Sequence, residues 1–252
     1  MRALLLAAGL GTRLRPITET IPKCLVPING RPLIDYWLRL LGEGGITRIL
    51  VNTHYFADTV RAHLAHSEYA RYVTTVYEDK LLGTAGTLLK NRRFFADEPI
   101  MLVHADNLSL FDMAAFIERF ETRDSPAEIT MMTFTTTSPD TCGIIELDDR
   151  GMVRAFHEKV RNPPGNIANA AVYILSPGIF RFLDKIGKVA IDFSTEVLPE
   201  YIGRMNTFHN DVYHRDIGTP ESLQAARKEY PDIERKYWKL ARLPDVARES
   251  RY

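Results

Sequence analysis

Short apolar runs alternate with amphipathic stretches over the first two thirds of the chain. Arg2–Ala7, Arg48–Thr53, Val73–Glu78, Pro99–His104 and Ile129–Phe134 are rich in Val, Ile and Leu, and each gives way to turn or polar residues. That is the pattern of buried strands. The stretches between them predict helices. Leu33–Glu43 follows Pro32, a favourable first-turn residue, and stops at Gly44-Gly45. Ala57–Ser67, Thr84–Asn91 and Met113–Arg123 complete the set. Strand and helix in alternation predict an α/β fold, with a mostly parallel sheet covered by helices on both faces. Right-handed crossovers bring the loops after the strands to one carboxyl edge, where such sheets bind ligands.

Past residue 140 the texture changes. Gly143–Leu147 and Val153–His157 flank Asp148-Asp149-Arg150-Gly151, a hairpin turn by composition. Asn169–Leu175 reads as another strand, Pro177–Leu183 and Ser194–Ile202 as helices, and Met205–Asn210 as a returning strand. Pro220 opens a further helix. Residues 231–252 are charged with scattered aromatics and predict a peripheral helix and a frayed tail. No repeat, low-complexity segment or linker interrupts the chain. One domain over residues 1–230 is expected, with halves at 1–140 and 141–230.

Of the 252 residues, 45% are apolar and 25% charged, enough for a sizeable core without disulfide help. Lys plus Arg and Asp plus Glu both number 32, so the formal net charge is zero. No global positive field exists to hold nucleic acid through counterion release, and any anion site has to be built locally. Cys24 and Cys142 are too few for a disulfide framework and lack metal-type spacing, which fits a reducing compartment. Arg2 and the apolar run after it have the flavour of a secretion signal, but Gly9, Gly11, Arg13 and Arg15 interrupt it. No stretch approaches the ~20 apolar residues of a membrane span. A soluble, cytoplasmic protein without membrane or nucleic-acid partners is expected.

The local anion site falls in residues 1–32. There Arg2, Arg13, Arg15, Lys23 and Arg31 face one acid, Glu19, a surplus of four positive charges. The same stretch runs from a strand into Leu6-Ala7-Ala8-Gly9-Leu10-Gly11-Thr12-Arg13-Leu14-Arg15-Pro16, a small-residue loop whose backbone N–H groups can cradle phosphate oxygens. It is neither a Walker P-loop nor a dinucleotide fingerprint, because Gly-Lys-Ser/Thr and the third glycine are missing. Together with Pro22-Lys23-Cys24-Leu25-Val26-Pro27, this segment resembles the signature of the sugar-1-phosphate nucleotidylyltransferases, and later matches extend the resemblance to about Glu229. The resemblance implies a Rossmann-like mixed sheet flanked by helices, with a nucleotide-binding half and a C-terminal sugar-binding lobe. It further implies that Leu6, Ala8, Gly9, Gly11 and Thr12 wrap the nucleotide, that Arg13 grips the outgoing phosphates, and that Lys23 sits by the α-phosphate.

Four later segments carry the rest of the chemistry. Glu78-Asp79-Lys80-Leu81-Leu82-Gly83-Thr84 ends a strand, and by the resemblance Glu78, Gly83 and Thr84 meet the nucleobase. A carboxylate only accepts hydrogen bonds, and guanine presents N1–H and N2–H₂ side by side, so Glu78 favours GTP over UTP or dTTP. As structure alone, Glu78 is equally a solvated loop acid, with backbone atoms reading the base. Asp106 in Ala105-Asp106 and Asp216 in Asp216-Ile217-Gly218-Thr219-Pro220 match the family's two metal aspartates, and two hard carboxylates suit Mg²⁺. Thr219 then caps the helix that Pro220 opens, and Asp112 caps the one at Met113. Glu158, Lys159 and Asn169 match the family's sugar-phosphate residues. His104 departs from the family without an assigned role. His63 and His66 fit an exposed helix face better than a zinc site, and Cys24 fits packing better than nucleophilic chemistry.

These readings converge on a sugar-1-phosphate nucleotidylyltransferase. It would use Arg13, Lys23 and Asp106 for catalysis and take an NTP, with GTP favoured, and a mannose- or heptose-type 1-phosphate. A cytidylyl- or uridylyltransferase acting on another phosphorylated acceptor, and a catalytically inactive nucleotide-sugar-binding module, stand as alternatives. A homo-oligomer is compatible with the C-terminal aromatics Tyr230, Tyr237 and Trp238.

Overall fold

A computed structural model describes residues 1–241. In chain order the strands are β1 (Arg2–Leu6), β2 (Pro27–Ile28), β3 (Arg31–Pro32), β4 (Ile49–Thr53), β5 (Val73–Tyr77), β6 (Ile100–His104), β7 (Asn107–Leu110), β8 (Ile129–Thr135), β9 (Gly143–Leu147), β10 (Val153–Glu158), β11 (Ile167–Leu175), β12 (Met205–His209) and β13 (Tyr213–Asp216). The α-helices are α1 (Leu33–Glu43), α2 (Ala57–His66), α3 (Gly83–Lys90), α4 (Arg92–Phe95), α5 (Met113–Glu121), α6 (Ile179–Ile186) and α7 (Pro220–Ala241). Residues 242–252, most of the expected tail, lie outside the described residues.

The central strands are apolar on both sides because both faces are covered. In β1, Ala3 and Leu5 pack into one core cluster with α1, α2, α5 and α7, while Leu4 packs into a second with α3 and α6. This is the burial that a period-two strand needs when helices cover both faces of the sheet. The nine-stranded sheet runs β10-β9-β11-β6-β1-β4-β5, with β8 against β11 and β12 against β8. Strands β6, β1, β4 and β5 are parallel, with Leu6 opposite both Asn52 and His104. Strand β11 joins antiparallel beside β6, with Val172 opposite Val103. The expected fold class therefore stands as a mixed sheet between helices. No helix among the described residues is long and apolar enough to cross a membrane.

Four features depart from the sequence reading. Strands β7 and β13 form a separate antiparallel ribbon, with Asp216 opposite Asn107, which brings the two ends of the chain's chemistry together. Ser194–Ile202 is not one α-helix. A π-type turn over Phe193–Val197 and a 3₁₀ turn over Leu198–Tyr201 replace it, with Asp192 capping by accepting from Thr195 N at 2.9 Å. No helix boundary falls at Pro231, since α7 runs through it. Leu223, Ala226 and Tyr230 anchor α7 in the core, and packing of that face outweighs the hydrogen bond that proline removes. Last, β11 bulges after Asn169, with Ala171 at φ +54°. The Asn169 side chain braces the bulge, accepting from Ala171 N at 2.9 Å and donating to the Tyr173 hydroxyl at 2.6 Å.

Candidate active site

The carboxyl ends of β1, β4, β5 and β6 open into a cavity of about 210 Å³ that is continuous with solvent. Leu6, Ala7, Ala8 and Gly9 form one wall, Lys23 and Asp106 one end, and Glu78, Gly83, Thr84 and Thr87 the other. Of the residues the sequence singles out, Leu6, Ala8, Gly9, Lys23, Glu78, Gly83, Thr84 and Asp106 thus share one cavity. Nothing lies within 4 Å of where a Cβ on Gly9 would project, so the backbone there is open to close approach by a ligand. Gly11, at φ +64°, starts the turn that exposes Thr12 and Arg13.

At the far end, Glu78 is 1% exposed and held in a polar network. Its Oε1 accepts from Thr87 Oγ1 at 2.6 Å and Asn52 Nδ2 at 3.1 Å, and its Oε2 accepts from Leu82 N at 3.3 Å. Asn52 Oδ1 in turn accepts from Ala7 N at 2.8 Å. One buried chain of hydrogen bonds therefore ties the glycine-rich loop to the loop after β5. Glu78 is not a solvated loop acid. Of roughly four acceptor positions on a carboxylate, three are filled, leaving one on Oε2. Gly83, at φ +70°, is forced, because a Cβ there would sit 2.4 Å from the Ile191 carbonyl oxygen. That carbonyl accepts from Ala85 N and Gly86 N, docking the start of α3 on the turn at residues 191–193.

At the near end, Lys23 Nζ is buried and donates to Asp106 Oδ2 at 2.7 Å and Asp216 Oδ1 at 3.4 Å. Arg13 Nη2 lies 3.5 Å from Asp216 Oδ2. A Cβ on Gly218 would fall 2.8 Å from that carboxylate and 2.9 Å from Arg13, so glycine permits the closure. Burial by itself would raise the Asp106 carboxyl, but the Lys23 ammonium overrides it and holds Asp106 below the usual carboxylate range. No cluster of three or more His, Cys, Asp or Glu among the described residues could hold a metal ion. Asp106 and Asp216 do converge on one point, however. Two hard carboxylates, with phosphate and water oxygens completing the shell, fit a divalent cation such as Mg²⁺. Cys24, beside Lys23, is pushed up to about 12 by burial, so it is a packed thiol rather than a nucleophile.

Arg2 and Arg31 do not contribute to this cluster. Arg2 Nε bonds Glu98 at 2.8 Å and Arg31 pairs with Glu234 at 3.5 Å, so the local surplus read from the sequence is divided between site and scaffold. Glu158, Lys159 and Asn169 sit at the end of β10 and the start of β11, outside the cavity wall. Glu158 and Lys159 pair at 3.2 Å, and Lys159 stands in the left-handed region at φ +50°. Asn52, Thr87 and His104 line the cavity without an assignment from the sequence. The available signal is a polar residue inside an apolar strand: Asn52 interrupts the run begun by Ile49–Val51, and His104 ends Ile100–Val103.

Comparison with known proteins was made against this geometry. The model of the nucleotidyl transferase family matches residues 2–233. A probable mannose-1-phosphate guanylyltransferase of Oryza sativa subsp. japonica is 30% identical over 244 residues, covering 94% of this chain and 66% of its own. A UTP–glucose-1-phosphate uridylyltransferase of Synechocystis sp. is 30% identical over 245 residues, covering 90% and 63%. The chain thus spans just under two thirds of these relatives' length. The crystal structure of HddC from Yersinia pseudotuberculosis complexed with GMP-PN superposes with a TM-score of 0.76 at 26% identity, covering 91% of this chain and 99% of that one.

Proposed function

We propose, because this chain belongs to the nucleotidyl transferase family, that it transfers the nucleoside monophosphate of an NTP to a sugar 1-phosphate. GTP is the proposed donor and a manno-configured sugar phosphate the proposed acceptor. The observation that carries this reading is the convergence of Lys23, Asp106, Asp216 and Arg13 at one end of a cavity whose other end holds the buried carboxylate of Glu78. An acceptor phosphate oxygen attacks the α-phosphorus of the donor, the bond to the β-phosphate oxygen breaks, and pyrophosphate leaves. That oxygen is already ionised near neutral pH, so no general base is needed. The barrier is repulsion between two anions, and catalysis is largely positioning and neutralisation of charge.

Lys23 holds the cluster together and offers its ammonium to the α-phosphate, while exposed Arg13 takes the departing phosphates. Mg²⁺ on Asp106 and Asp216 supplies further charge neutralisation when bound. Lys159 meets the acceptor phosphate, and Glu158 and Asn169 its hydroxyls. The open acceptor position on Glu78 Oε2 takes one guanine N–H, with the second left to backbone carbonyls. A uracil ring offers one donor, its N3–H, which the same single position can also accept. The uridylyltransferase relative keeps UTP as the second reading on this ground.

Pyrophosphate release separates these readings. GTP, UTP, CTP, ATP and dTTP are crossed with mannose, heptose and glucose 1-phosphates in the presence of Mg²⁺. Release with GTP and a manno-configured acceptor is the expected result. Release with UTP in its place would favour the second reading, in which the open position on Glu78 accepts the uracil N3–H. Nucleotide binding without turnover over the whole panel would leave a binding module and overturn the transferase reading.

A further inference from the structure

His104 lines the cavity, yet the reaction above gives it no task. It ends β6 opposite Leu6, on the same sheet face as Leu102, which lies opposite Tyr173 of β11. That face is the one on which α3 and the Phe193 turn pack. Along the carboxyl edge the order is therefore Glu78 after β5, the glycine loop after β1, His104 on β6, and Asn169 and Tyr173 on β11. His104 thus lies on the β11 side of the glycine loop, three strands from β5, after which Glu78 stands.

Its hydrogen bonding is anomalous within this protein. The six other histidines each make a hydrogen bond: His54 to the Glu78 carbonyl, His63 to Asp35, His66 to the Ala62 carbonyl, His157 to Glu146, His209 to Thr133 and His214 to Ser109. The Nε2 atom of His104 is sealed from solvent and has no partner among the described residues. Leaving a buried polar atom unpaired is costly, and a native structure retains one where a ligand or water completes it. Neither Thr84 of the cavity wall nor Asp192 outside that wall completes it. Thr84 Oγ1 accepts from Phe193 N at 2.7 Å, and Asp192 Oδ1 accepts from Thr195 N and its hydroxyl. A neutral imidazole donates from one nitrogen and accepts at the other. That pair of capacities matches a hydroxyl group, which also does both.

We propose that His104 reads a ring hydroxyl of the acceptor sugar and so sets which sugar 1-phosphate is used. This inference rests on the transferase reading above and names a specificity residue within it. Deleting the imidazole should strip discrimination at one ring position and leave the donor nucleotide untouched.

The test is steady-state kinetics of His104→Leu, His104→Asn and His104→Gln. The acceptor is mannose 1-phosphate, or whichever sugar 1-phosphate of the panel the wild type uses, together with its monodeoxy analogues. For the wild type, one deoxy analogue should fall about tenfold or more in kcat/KM. In His104→Leu that penalty should vanish: the parent acceptor falls to the level of the analogue, while KM for the NTP moves less than about twofold. Asn places an amide near Nδ1 and Gln near Nε2, so one of the two should restore the discrimination. A purely structural role would lower every substrate alike and be rescued by neither. A shift in NTP KM with unchanged acceptor kinetics would assign His104 to the ribose and overturn the proposal, as would unaltered discrimination in His104→Leu. A wild type that turns over nothing in the panel overturns the transferase reading instead, and is recognised before any variant is made.

Discussion

Replacing Asn52 by Leu tests whether one side chain couples the two nucleotide-facing loops. Leucine is close in volume, so the change is chemical rather than a cavity. It removes the acceptor for Ala7 N–H and one of three donors to Glu78. An orphaned buried N–H costs about 1–3 kcal/mol, and a lost bond to a charged acceptor about 1.5–3 kcal/mol, so about 2.5–6 kcal/mol is expected. Against the roughly 5–15 kcal/mol that holds a typical domain together, the variant folds with a thin margin. Thr87→Val is the control. It deletes the 2.6 Å bond to Glu78 but orphans nothing in the Ala7 loop, and is expected to cost only about 1.5–3 kcal/mol. Urea unfolding of both single variants and the double variant measures the costs and their coupling, with unchanged m-values confirming a common unfolded reference. Donor-nucleotide affinity should weaken further in Asn52→Leu than in Thr87→Val, because only the former frees the glycine loop. An Asn52→Leu cost no greater than that of Thr87→Val would refute the coupling.

Three further outcomes are expected. Asp106→Asn should lower turnover at least about a hundredfold with circular dichroism unchanged, because it removes charge at the reacting centre while Lys23 keeps Asp216 as partner; near-normal turnover would remove Asp106 from the site. Ala171→Gly should raise stability by about 0.5–1 kcal/mol, since the left-handed conformation costs an L-residue about 1–2 kcal/mol and glycine gives back part through its freer unfolded chain; a lowered melting temperature would show the methyl group packing usefully. Glu146, held below the usual carboxylate range chiefly by its hydrogen bond from His157 and then by Arg154, stabilises the β9–β10 hairpin above its unfolded pKa. That contribution should fade as pH falls through the depressed value, so melting curves of Glu146→Gln and wild type should differ at neutral pH and converge in acid; a gap that persists in acid would contradict the assignment.

The parts of the fold legible in the sequence are those where a local pattern has one solution. Strands buried on both faces, such as β1 with Ala3, Leu4 and Leu5, leave nearly continuous apolar runs, and α1 carries its own start and stop in Pro32 and Gly44. The β7–β13 ribbon is illegible because neither four-residue strand has a pattern of its own, and its pairing joins segments more than a hundred residues apart. The same logic governs the site. Gly9, Lys23 and Asp106 stand out through their motifs, whereas Asn52 and Thr87 act through bonds to Glu78 and, for Asn52, to Ala7, contacts across β1, β4, β5 and α3 that no short window contains. The charge surplus of residues 1–32 is real in the sequence yet misleading as a count, because Arg2 and Arg31 turn outward to Glu98 and Glu234.

What remains of that surplus bears on how a chain without net charge would manage the anionic donor proposed for it. Lys23 and Arg13 lie against Asp106 and Asp216, so the four formal charges cancel at rest. A buried ammonium is tolerable because it is paired, and the pairing in turn keeps two carboxylates close that would otherwise repel. An unaccompanied triphosphate would meet little net attraction there, and the carboxylates would oppose it. For a triphosphate accompanied by a divalent cation the balance would reverse: Asp106 and Asp216 would hold the cation, and the Lys23 ammonium would be left to face phosphate oxygen. A preference for a metal-bound donor would thus follow from the cancellation itself. It requires no basic surface elsewhere, in keeping with equal numbers of acidic and basic residues over the whole chain.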